Sequence, residues 1–475
     1  MDLAMQPDPA AVRTAPPPME EPVFDRADHA GTEYRVGFGK ASLLPPDWAE
    51  KTYYMAGYGC NNPVTGVLDE PGAFALLVDD GTGRGNVLLV SCDCVGFLHR
   101  DVTALRSRLM AALPGLRAVH LFSTHNHAGI DTMGMWGPLP KTGKDPAYMA
   151  FLADQVEAAA HAAAADQRPC DLYLGEAEAE GLQEDARLPS VYSRTLTRVR
   201  IVPRDGGREV WWLNFASHSE SLQGCNSRIS ADFPQYLRRR ILAETGAETF
   251  YCVGAIGGMI TMAVANKSDI YDAGGDFSAS TISIGRNLAE VAIGIRRETS
   301  LAPRLDLLRM ELDVPLDNSV LAAAGTAGIM ESDCYAGAGE TGLALRTEMN
   351  YLTLGSLRIL TLPGELFPEL AYGGYLNGDS SATGLGPEAN PTPLTRFEGG
   401  RGILFIGLAD DEIGYIIPPN DFLLSETSPY FEKCRDRLGR RHYEETNSPG
   451  PRAAAAIADA WQRMLAIINA GGTEQ

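Results

Sequence analysis

Four apolar, strand-like segments of this chain each run directly into a polar motif, and this repeated arrangement constrains the fold more than any other feature. The motifs are STHNHAG at residues 123–129, ASH at 216–218, PGE at 363–365 and ADDEIGY at 409–415. Polar side chains that follow buried strands gather at the carboxyl ends of a sheet, where α/β proteins place their ligand sites. The pattern therefore predicts a layered fold in which the four motifs share one cavity.

The order of the remaining segments predicts an α/β (mixed α+β) fold, with one large layered catalytic domain in which two β-sheets are flanked by helices. Apolar runs at residues 78–80 and 87–91 enclose the turn-rich stretch DGTGRG and predict a hairpin. Apolar periodicity predicts helices over residues 148–165, 278–293 and 453–468. Residues 1–32 are rich in Pro, Ala and acids and predict a flexible tail, so the domain is expected to comprise residues 33–475.

The charge of the chain bounds its partners. Forty Lys and Arg residues stand against 61 Asp and Glu residues, which gives a net charge of −21. This balance argues against nucleic acid and anionic membrane surfaces as partners, but a metal cation stays open. The eight cysteines include no CxxC pair, and no stretch is typical of a secretion signal or a membrane span. We expect a cytoplasmic protein without membrane insertion, and a homo-oligomer is left open.

The chemistry-bearing residues of these motifs favour a metal site. His125 and His127 are two positions apart, and on extended backbone such side chains point to the same face. His218 ends the second motif and Glu365 ends the third. Two imidazoles, one carboxylate and one further oxygen suit a catalytic Zn²⁺ ion, which keeps a position open for water. The alternatives for the histidine pair are surface exposure and a coincidence of packing.

The ordered set of motifs resembles the catalytic domain of the neutral (non-lysosomal) ceramidase family, zinc amidohydrolases that cleave the amide of N-acylsphingosines. THNHAG at residues 124–129 stands in place of the family's THTHSG, and LNFASH at 213–218 is similar to its NWFAxH. ISAD at 229–232, PGE at 363–365, GLAD at 407–410 followed by Tyr415, and YEETNS at 443–448 resemble further family motifs in the same order. The resemblance covers residues 34–452 and implies a divergent member that lacks the family's C-terminal β-sandwich domain.

Carried over position by position, the resemblance implies a zinc ion held by His125, His218, Glu365 and Tyr415. It further implies that His127 hydrogen-bonds the substrate carbonyl or the tetrahedral oxyanion, and that Tyr415 is an oxyanion donor as well as a ligand. Three acidic residues are candidates for supporting the metal ligands or contacting substrate: Asp93, Glu220 and Asp232.

One departure from the family pattern bears on the substrate. The family's GDVSPN segment corresponds here to GGMITM at residues 257–262, so that Ile260 stands at the position of a serine near the zinc. We therefore expect a zinc-dependent hydrolase that cleaves a different small-molecule N-acyl amide through a metal-activated water. A zinc esterase or lactonase with the same site, and a non-catalytic binding protein that retains the metal pocket, are the alternatives. Residues 377–400 lack periodicity and are expected to form a lid.

Overall fold

The computed structural model describes residues 18–471. Residues 1–17, which belong to the predicted flexible tail, lie outside the described residues, as do residues 472–475. Numbered along the chain, the α-helices of the described part are α1 (His99–Ala112), α2 (Pro146–Asp166), α3 (Phe233–Thr245), α4 (Lys267–Asp272), α5 (Ser278–Gly294), α6 (Ser319–Thr326), α7 (Pro368–Tyr372) and α8 (Ala453–Ala470).

The strands of the same part are β1 (Phe24–Asp25), β2 (Tyr34–Ser42), β3 (Gly66–Val67), β4 (Gly72–Asp79), β5 (Asn86–Cys92), β6 (Leu116–Ser123), β7 (Arg168–Glu178), β8 (Gln183–Asp185), β9 (Thr195–Pro203), β10 (Val210–Phe215), β11 (Arg228–Ile229), β12 (Glu248–Val253), β13 (Ile260–Met262), β14 (Thr299–Leu301), β15 (Leu307–Leu316), β16 (Cys334–Ala336), β17 (Leu343–Leu354), β18 (Leu357–Thr361), β19 (Glu365–Leu366), β20 (Ile403–Ile406), β21 (Tyr415–Ile416), β22 (Cys434–Arg435) and β23 (Arg441–His442).

Two large sheets organise these strands. Within residues 18–471 the larger sheet has nine strands in the order β12-β10-β9-β7-β2-β4-β5-β6, with β14 beside β7. The smaller one has six strands in the order β1-β15-β17-β18-β20, with β16 beside β17. Pairing is parallel between β5 and β6, between β10 and β12 and between β18 and β20, whereas the predicted hairpin is the antiparallel pair β4–β5. The predicted fold class is therefore confirmed.

The two sheets pack face to face, with helices on both outer surfaces. Side chains from both sheets, such as Leu76, Leu89 and Ile359, form one buried cluster between them. Helices α1, α2, α3 and α5 cover the outer face of the larger sheet, and α8 covers the outer face of the smaller one. Side chains alternate along β15, and one set points toward α8, where Trp461 is fully buried. This set consists of Leu308, Met310, Leu312, Val314 and Leu316.

Helix α2 lies unusually close to strand β2 because glycine and alanine meet at their contact. A Cβ atom placed on Gly39 would stand 2.0 Å from the carbonyl oxygen of Ala159, and the buried face of α2 is rich in alanine. The small side chains thus allow the helix to seat directly on the strand.

The described part of the predicted tail, residues 18–32, makes contact with the domain. Strand β1 pairs antiparallel with β15, in the register Phe24 to Leu308. None of the helices in residues 18–471 combines the length and the apolar character that crossing a bilayer requires.

Candidate functional site

The candidate site lies where the ends of the two sheets meet. His125 and His127 follow β6, and His218 follows β10, so all three histidines extend from the larger sheet. Glu365 and Tyr415 lie directly opposite each other in the short parallel ladder β19–β21, beyond the ends of β18 and β20. The backbone N–H of Ser123 donates to the carbonyl of Leu408 at 3.1 Å. This hydrogen bond links the segment that carries His125 and His127 to the segment that carries Tyr415.

Backbone hydrogen bonds fix the turn that carries His125 and His127. The N–H of Asn126 donates to the carbonyl of Cys94, and the N–H of His127 donates to the carbonyl of Ser219, both at 3.0 Å. His125 itself has a φ of +53°, which non-glycine residues adopt rarely and which is concentrated at functional sites. This geometry turns both imidazoles inward instead of continuing strand β6.

The protonation of His125 and His218 follows from their backbone partners. His125 Nδ1 lies 2.8 Å from the carbonyl oxygen of Val95, and His218 Nδ1 lies 2.8 Å from that of Ile260. A carbonyl oxygen only accepts, so each Nδ1 must carry the proton and donate it. Each Nε2 is therefore the nitrogen free to bind a cation, an arrangement that metal-ligating histidines commonly use.

Both Nε2 atoms approach the same oxygen of Glu365. His218 Nε2 lies 2.8 Å from Glu365 Oε2, and His125 Nε2 lies 3.5 Å from it. Burial raises the pKa of the Glu365 carboxyl, but the two imidazoles more than offset this and hold it well below its usual range. Burial lowers the pKa of His218, and its contact with Glu365 reverses the shift and raises it. A buried, ionised carboxylate thus faces two imidazole nitrogens, and a positive charge shared among them would satisfy all three.

The spacing of these atoms fits a single metal ion. His127 Nε2 lies 3.1 Å from His125 Nε2, and ligand atoms of His125, His127 and His218 all lie within 4.8 Å of one another. Nitrogen and oxygen ligands at 2.0–2.1 Å from a tetrahedral zinc ion stand about 3.3 Å apart. The buried histidine cluster could therefore hold a metal. Two donor sets are compatible with it, the three imidazoles alone and the set of His125, His218 and Glu365.

His127 differs from the other two histidines in its surroundings. Its Nδ1 has no hydrogen-bond partner among the described residues, and the nearest charged atom is Glu220 Oε2 at 3.5 Å. Glu220 accepts a 2.8 Å hydrogen bond from the hydroxyl of Tyr58, whose ring packs edge-on against His127. Burial, together with the nearby His125 and His218, lowers the pKa of His127, so its ring is neutral at pH 7.

Tyr415 places a protonated hydroxyl at the same junction. Burial and the charge of Glu365 raise its pKa well above the ordinary value of 10.0. The hydroxyl lies 3.2 Å from the sulfur of Met259, and the ring packs against Tyr443. Tyr415 is therefore a hydrogen-bond donor. The sulfur is only a weak competitor for its proton, and the side chain of Tyr443 is a further hydrogen-bond partner that also raises the pKa of Tyr415.

Two cavities of different character meet at His127 and Tyr415. The first is a polar cleft of about 1160 Å³, whose lining includes Tyr58 and Glu220. The second, of about 70 Å³, is bordered by His125 and Glu365 and by apolar side chains that include Val95, Met133, Met135, Trp136 and Met330. A molecule that spans the junction would thus place an apolar part on one side and a polar part on the other.

Gly57 gives His127 the space that its ring occupies. A Cβ atom at this position, where φ is +94°, would stand 2.3 Å from Cγ of His127. We expect Gly57→Ala to destabilise the protein by about 1–3 kcal/mol and, by displacing the ring, to lower kcat by about 10²-fold. Gly59→Ala is the matched control, since a Cβ there meets nothing within 4 Å. Thermal unfolding and steady-state kinetics of the two variants, side by side, measure the difference. Equal kinetics would disprove the positioning role.

Asp93 and Asp232, predicted as supporting residues, lie behind the cavities and line neither of them. Asp93 forms a two-pronged ion pair with Arg238 at 2.8 Å and accepts from the hydroxyl of Thr124, next to His125. Asp232 caps α3 and accepts from the backbone of Ser221 and Leu222, while burial raises its pKa to about 6. Both hold the loops that carry the site.

Several residues at the site are not among the candidates that the sequence indicates. Tyr58 and Gly57 lie on an irregular loop, far from every motif in sequence. Glu412 borders the smaller cavity with an Oε2 atom that has no hydrogen-bond partner among residues 18–471. Burial and the charge of Glu365 raise the pKa of the Glu412 carboxyl. Only its place in the ADDEIGY motif hinted at such a position.

The segment expected to be a lid, residues 377–400, packs on the domain and lines neither cavity. Its Ala382 donates to Asp421, and the carbonyl of its Leu394 accepts from the indole of Trp461 at 3.0 Å. Its aperiodic sequence corresponds to short turns, with Ser381 and Leu394 buried, and its role as a lid stays a prediction.

The fold and the site together define a layered α/β protein with a buried histidine cluster at the junction of its two sheets. Solved structures of ceramidases share this fold. The chain is similar to the crystal structure of neutral ceramidase from Pseudomonas aeruginosa with a TM-score of 0.66 and 16% identity, over 92% of this chain and 75% of that chain. A structure titled "Ceramidase complexed with C2" is similar with a TM-score of 0.63 and 15% identity, over 91% and 75%.

The predicted resemblance to neutral ceramidase is confirmed at the level of the fold. A comparison with protein-family models and one with curated proteins find no match.

Proposed function

We propose that this protein is a zinc-dependent amidohydrolase that cleaves a small N-acyl amide, with the ion held by His125, His218 and Glu365 and, as the resemblance to the neutral ceramidase family implies, by Tyr415. The observation that carries the proposal is the pair of Nε2 atoms directed at one buried oxygen of Glu365, at 2.8 and 3.5 Å. The fold shared with neutral ceramidase supports the amide as the bond that is cleaved. Two neutral imidazoles and one carboxylate carry a single negative charge, so a zinc ion held by them stays net positive.

A zinc ion at this position would supply a water molecule of lowered pKa and polarise the substrate carbonyl. The protein's own part is to position the carbonyl and stabilise its developing negative charge. His127 and Tyr415 border both cavities, so an N–H and an O–H can donate to the carbonyl oxygen of a substrate that spans the junction. Each such donor lowers the barrier by about 3 kcal/mol.

The two cavities favour a separate place for each of the two parts of the substrate. The smaller, methionine-rich cavity suits the acyl group, because methionine side chains adapt to apolar ligands. The polar cleft then receives the amine part. Ile260 acts through its backbone, since its carbonyl accepts from both the N–H and Nδ1 of His218. A residue at this position needs no hydroxyl for that role.

The proposal is tested with the purified protein and a matched pair of substrates, an N-acyl amide and the ester of the same acyl group. We expect the amide to be hydrolysed, a strong chelator to abolish the activity, and added zinc to restore it, with release of the amine as the readout. Cleavage of the ester alone would favour the esterase alternative, and binding without turnover would favour the binding protein. Either result would overturn the proposal of an amidohydrolase.

The cytoplasmic location and the lack of a nucleic-acid partner stay predictions.

A further inference from the structure

More cationic than anionic side chains line the polar cleft, although the chain has a net charge of −21. Five cationic side chains line it, against three carboxylates. Two of the carboxylates are already paired with arginines: Asp421 with Arg187 and Arg440, both at 3.2 Å, and Glu444 with Arg187 at 2.9 Å. The third, Glu220, accepts from Tyr58.

Three of the cations are left without an ion pair among the described residues, and all lie on one hairpin. Lys433, Arg435 and Arg441 are exposed and belong to β22, β23 or the residue just before them. Arg435 and Arg441 are direct cross-strand partners in this two-stranded ladder. Like charges directly opposite each other destabilise a strand pair, and a bound anion would relieve such a repulsion. The Arg435 guanidinium donates one hydrogen bond, to the carbonyl of Gly439 at 2.6 Å.

The hairpin is anchored to the domain, so its cationic side chains extend from a fixed backbone. His442, the neighbour of Arg441, is buried and lies 2.8 Å from Glu445 and 3.0 Å from Arg187. Cys434, directly opposite His442, contacts the carbonyl of Leu423. Such anchoring lowers the entropic cost of binding a ligand to the hairpin.

A chain of ring contacts joins this hairpin to the proposed catalytic centre. Lys433 Nζ lies 5.5 Å above the ring of Tyr443, and the ring of Tyr443 lies 6.3 Å from that of Tyr415. A group bound at the hairpin would therefore lie on the amine side of an amide at the centre, within about 12 Å of the Tyr415 ring by the sum of these two distances.

We infer that the amine part of the substrate carries an oxyanion, a carboxylate or a phosphate, which binds Lys433, Arg435 and Arg441. The inference rests on the proposed function and deepens it by naming the substrate class, N-acyl amines with an acidic terminus. Guanidinium groups match both oxyanions through paired hydrogen bonds, and the repulsion between the two arginines turns into shared attraction when the anion is bound.

The test compares four N-acyl amines with the same acyl group and the same six-carbon amine chain, which end in carboxylate, phosphate, methyl or ammonium. We expect one of the two anionic compounds to have the highest kcat/KM, and its advantage over the methyl compound to shrink as salt is added. In the triple variant Lys433→Gln, Arg435→Gln, Arg441→Gln the anionic-to-methyl ratio of kcat/KM should fall about tenfold, because exposed ion pairs contribute modestly one by one. The higher of the two anionic values tells carboxylate from phosphate.

Arg463→Gln is the matched control, since Arg463 is exposed on α8 and outside the cleft, and it should leave the ratio unchanged. A ratio that stays constant in the triple variant, or a wild-type preference for the methyl or ammonium compound, would overturn the inference and leave the amidohydrolase intact. If no compound is cleaved, the proposed function fails. Calorimetric binding of the anionic compounds to wild-type and triple-variant protein then decides the inference, since binding that does not weaken in the variant would overturn it.

Discussion

Replacement of His218 by alanine is expected to remove the bound metal ion and the hydrolytic activity together. The substitution deletes one Nε2 ligand and the Nδ1 donor that fixes it to Ile260, and it leaves the Glu365 carboxylate with a single imidazole partner. Wild-type protein should contain about one zinc ion per chain by mass spectrometry. The variant should contain none, and its turnover should fall to the background rate.

His161→Ala is the matched control for this experiment. His161 lies on the exposed face of α2, with 52% of its side chain accessible, so the same substitution there should alter neither metal content nor activity. Because His218 is fully buried, circular dichroism and thermal unfolding must establish that the variant is folded. His218→Gln, which keeps most of the volume, serves if the alanine variant does not fold. Wild-type metal content together with full activity in either folded variant would refute the zinc centre.

Hydrophobic periodicity predicts the outer helices well, because each buries one continuous face. The predicted helix over residues 453–468 corresponds to α8 (Ala453–Ala470), where Ile457, Trp461 and Leu465 are buried as their spacing requires. The predicted helix over 278–293 corresponds to α5 (Ser278–Gly294). Such faces depend on local spacing alone, so no knowledge of the partner surface is needed.

The candidate site combines local signals with long-range geometry. The motifs predict which strand ends carry His125, His218 and Glu365, but only the packing of one sheet on the other brings Glu365 within 2.8 Å of His218. Asp93 and Asp232 also lie in polar motifs of the sequence, and yet both lie behind the cavities. The buried Arg238 binds the carboxylate of Asp93, and backbone N–H groups bind that of Asp232. A pattern of residue types does not distinguish a carboxylate that faces a cavity from one that holds a loop.

The hairpin that carries Lys433, Arg435 and Arg441 is a feature that the sequence did not predict. Its cations are spread over residues 433–441 within a strongly acidic chain, so the net charge hides them. Their significance arises from the register that sets Arg435 opposite Arg441, and from the pairing of the nearby carboxylates with Arg187 and Arg440. Neither relation can be derived from spacing along the sequence.

His127→Ala is expected to keep the metal ion but to lower kcat by about 10²-fold or more. The ring lacks the backbone anchor that His125 and His218 have, and its Nδ1 is without a hydrogen-bond partner among residues 18–471. Its lowered pKa keeps it neutral, so it retains one N–H to donate toward the substrate oxygen. Loss of this donor weakens stabilisation of the transition state and leaves the two anchored imidazoles and Glu365 in place.

Metal analysis and kinetics of the same preparation decide between the two donor sets. Full zinc content with a fall in kcat supports the role of His127 as a donor and the ligand set that includes Glu365. Loss of zinc equal to that in His218→Ala would instead make His127 a ligand in a three-imidazole site, with Glu365 as the residue that orients it. Glu365→Gln distinguishes the two donor sets independently, because the glutamine amide keeps the shape of the glutamate side chain but not its negative charge. Zinc should be lost from this variant if the carboxylate is a ligand and retained if three imidazoles hold the ion.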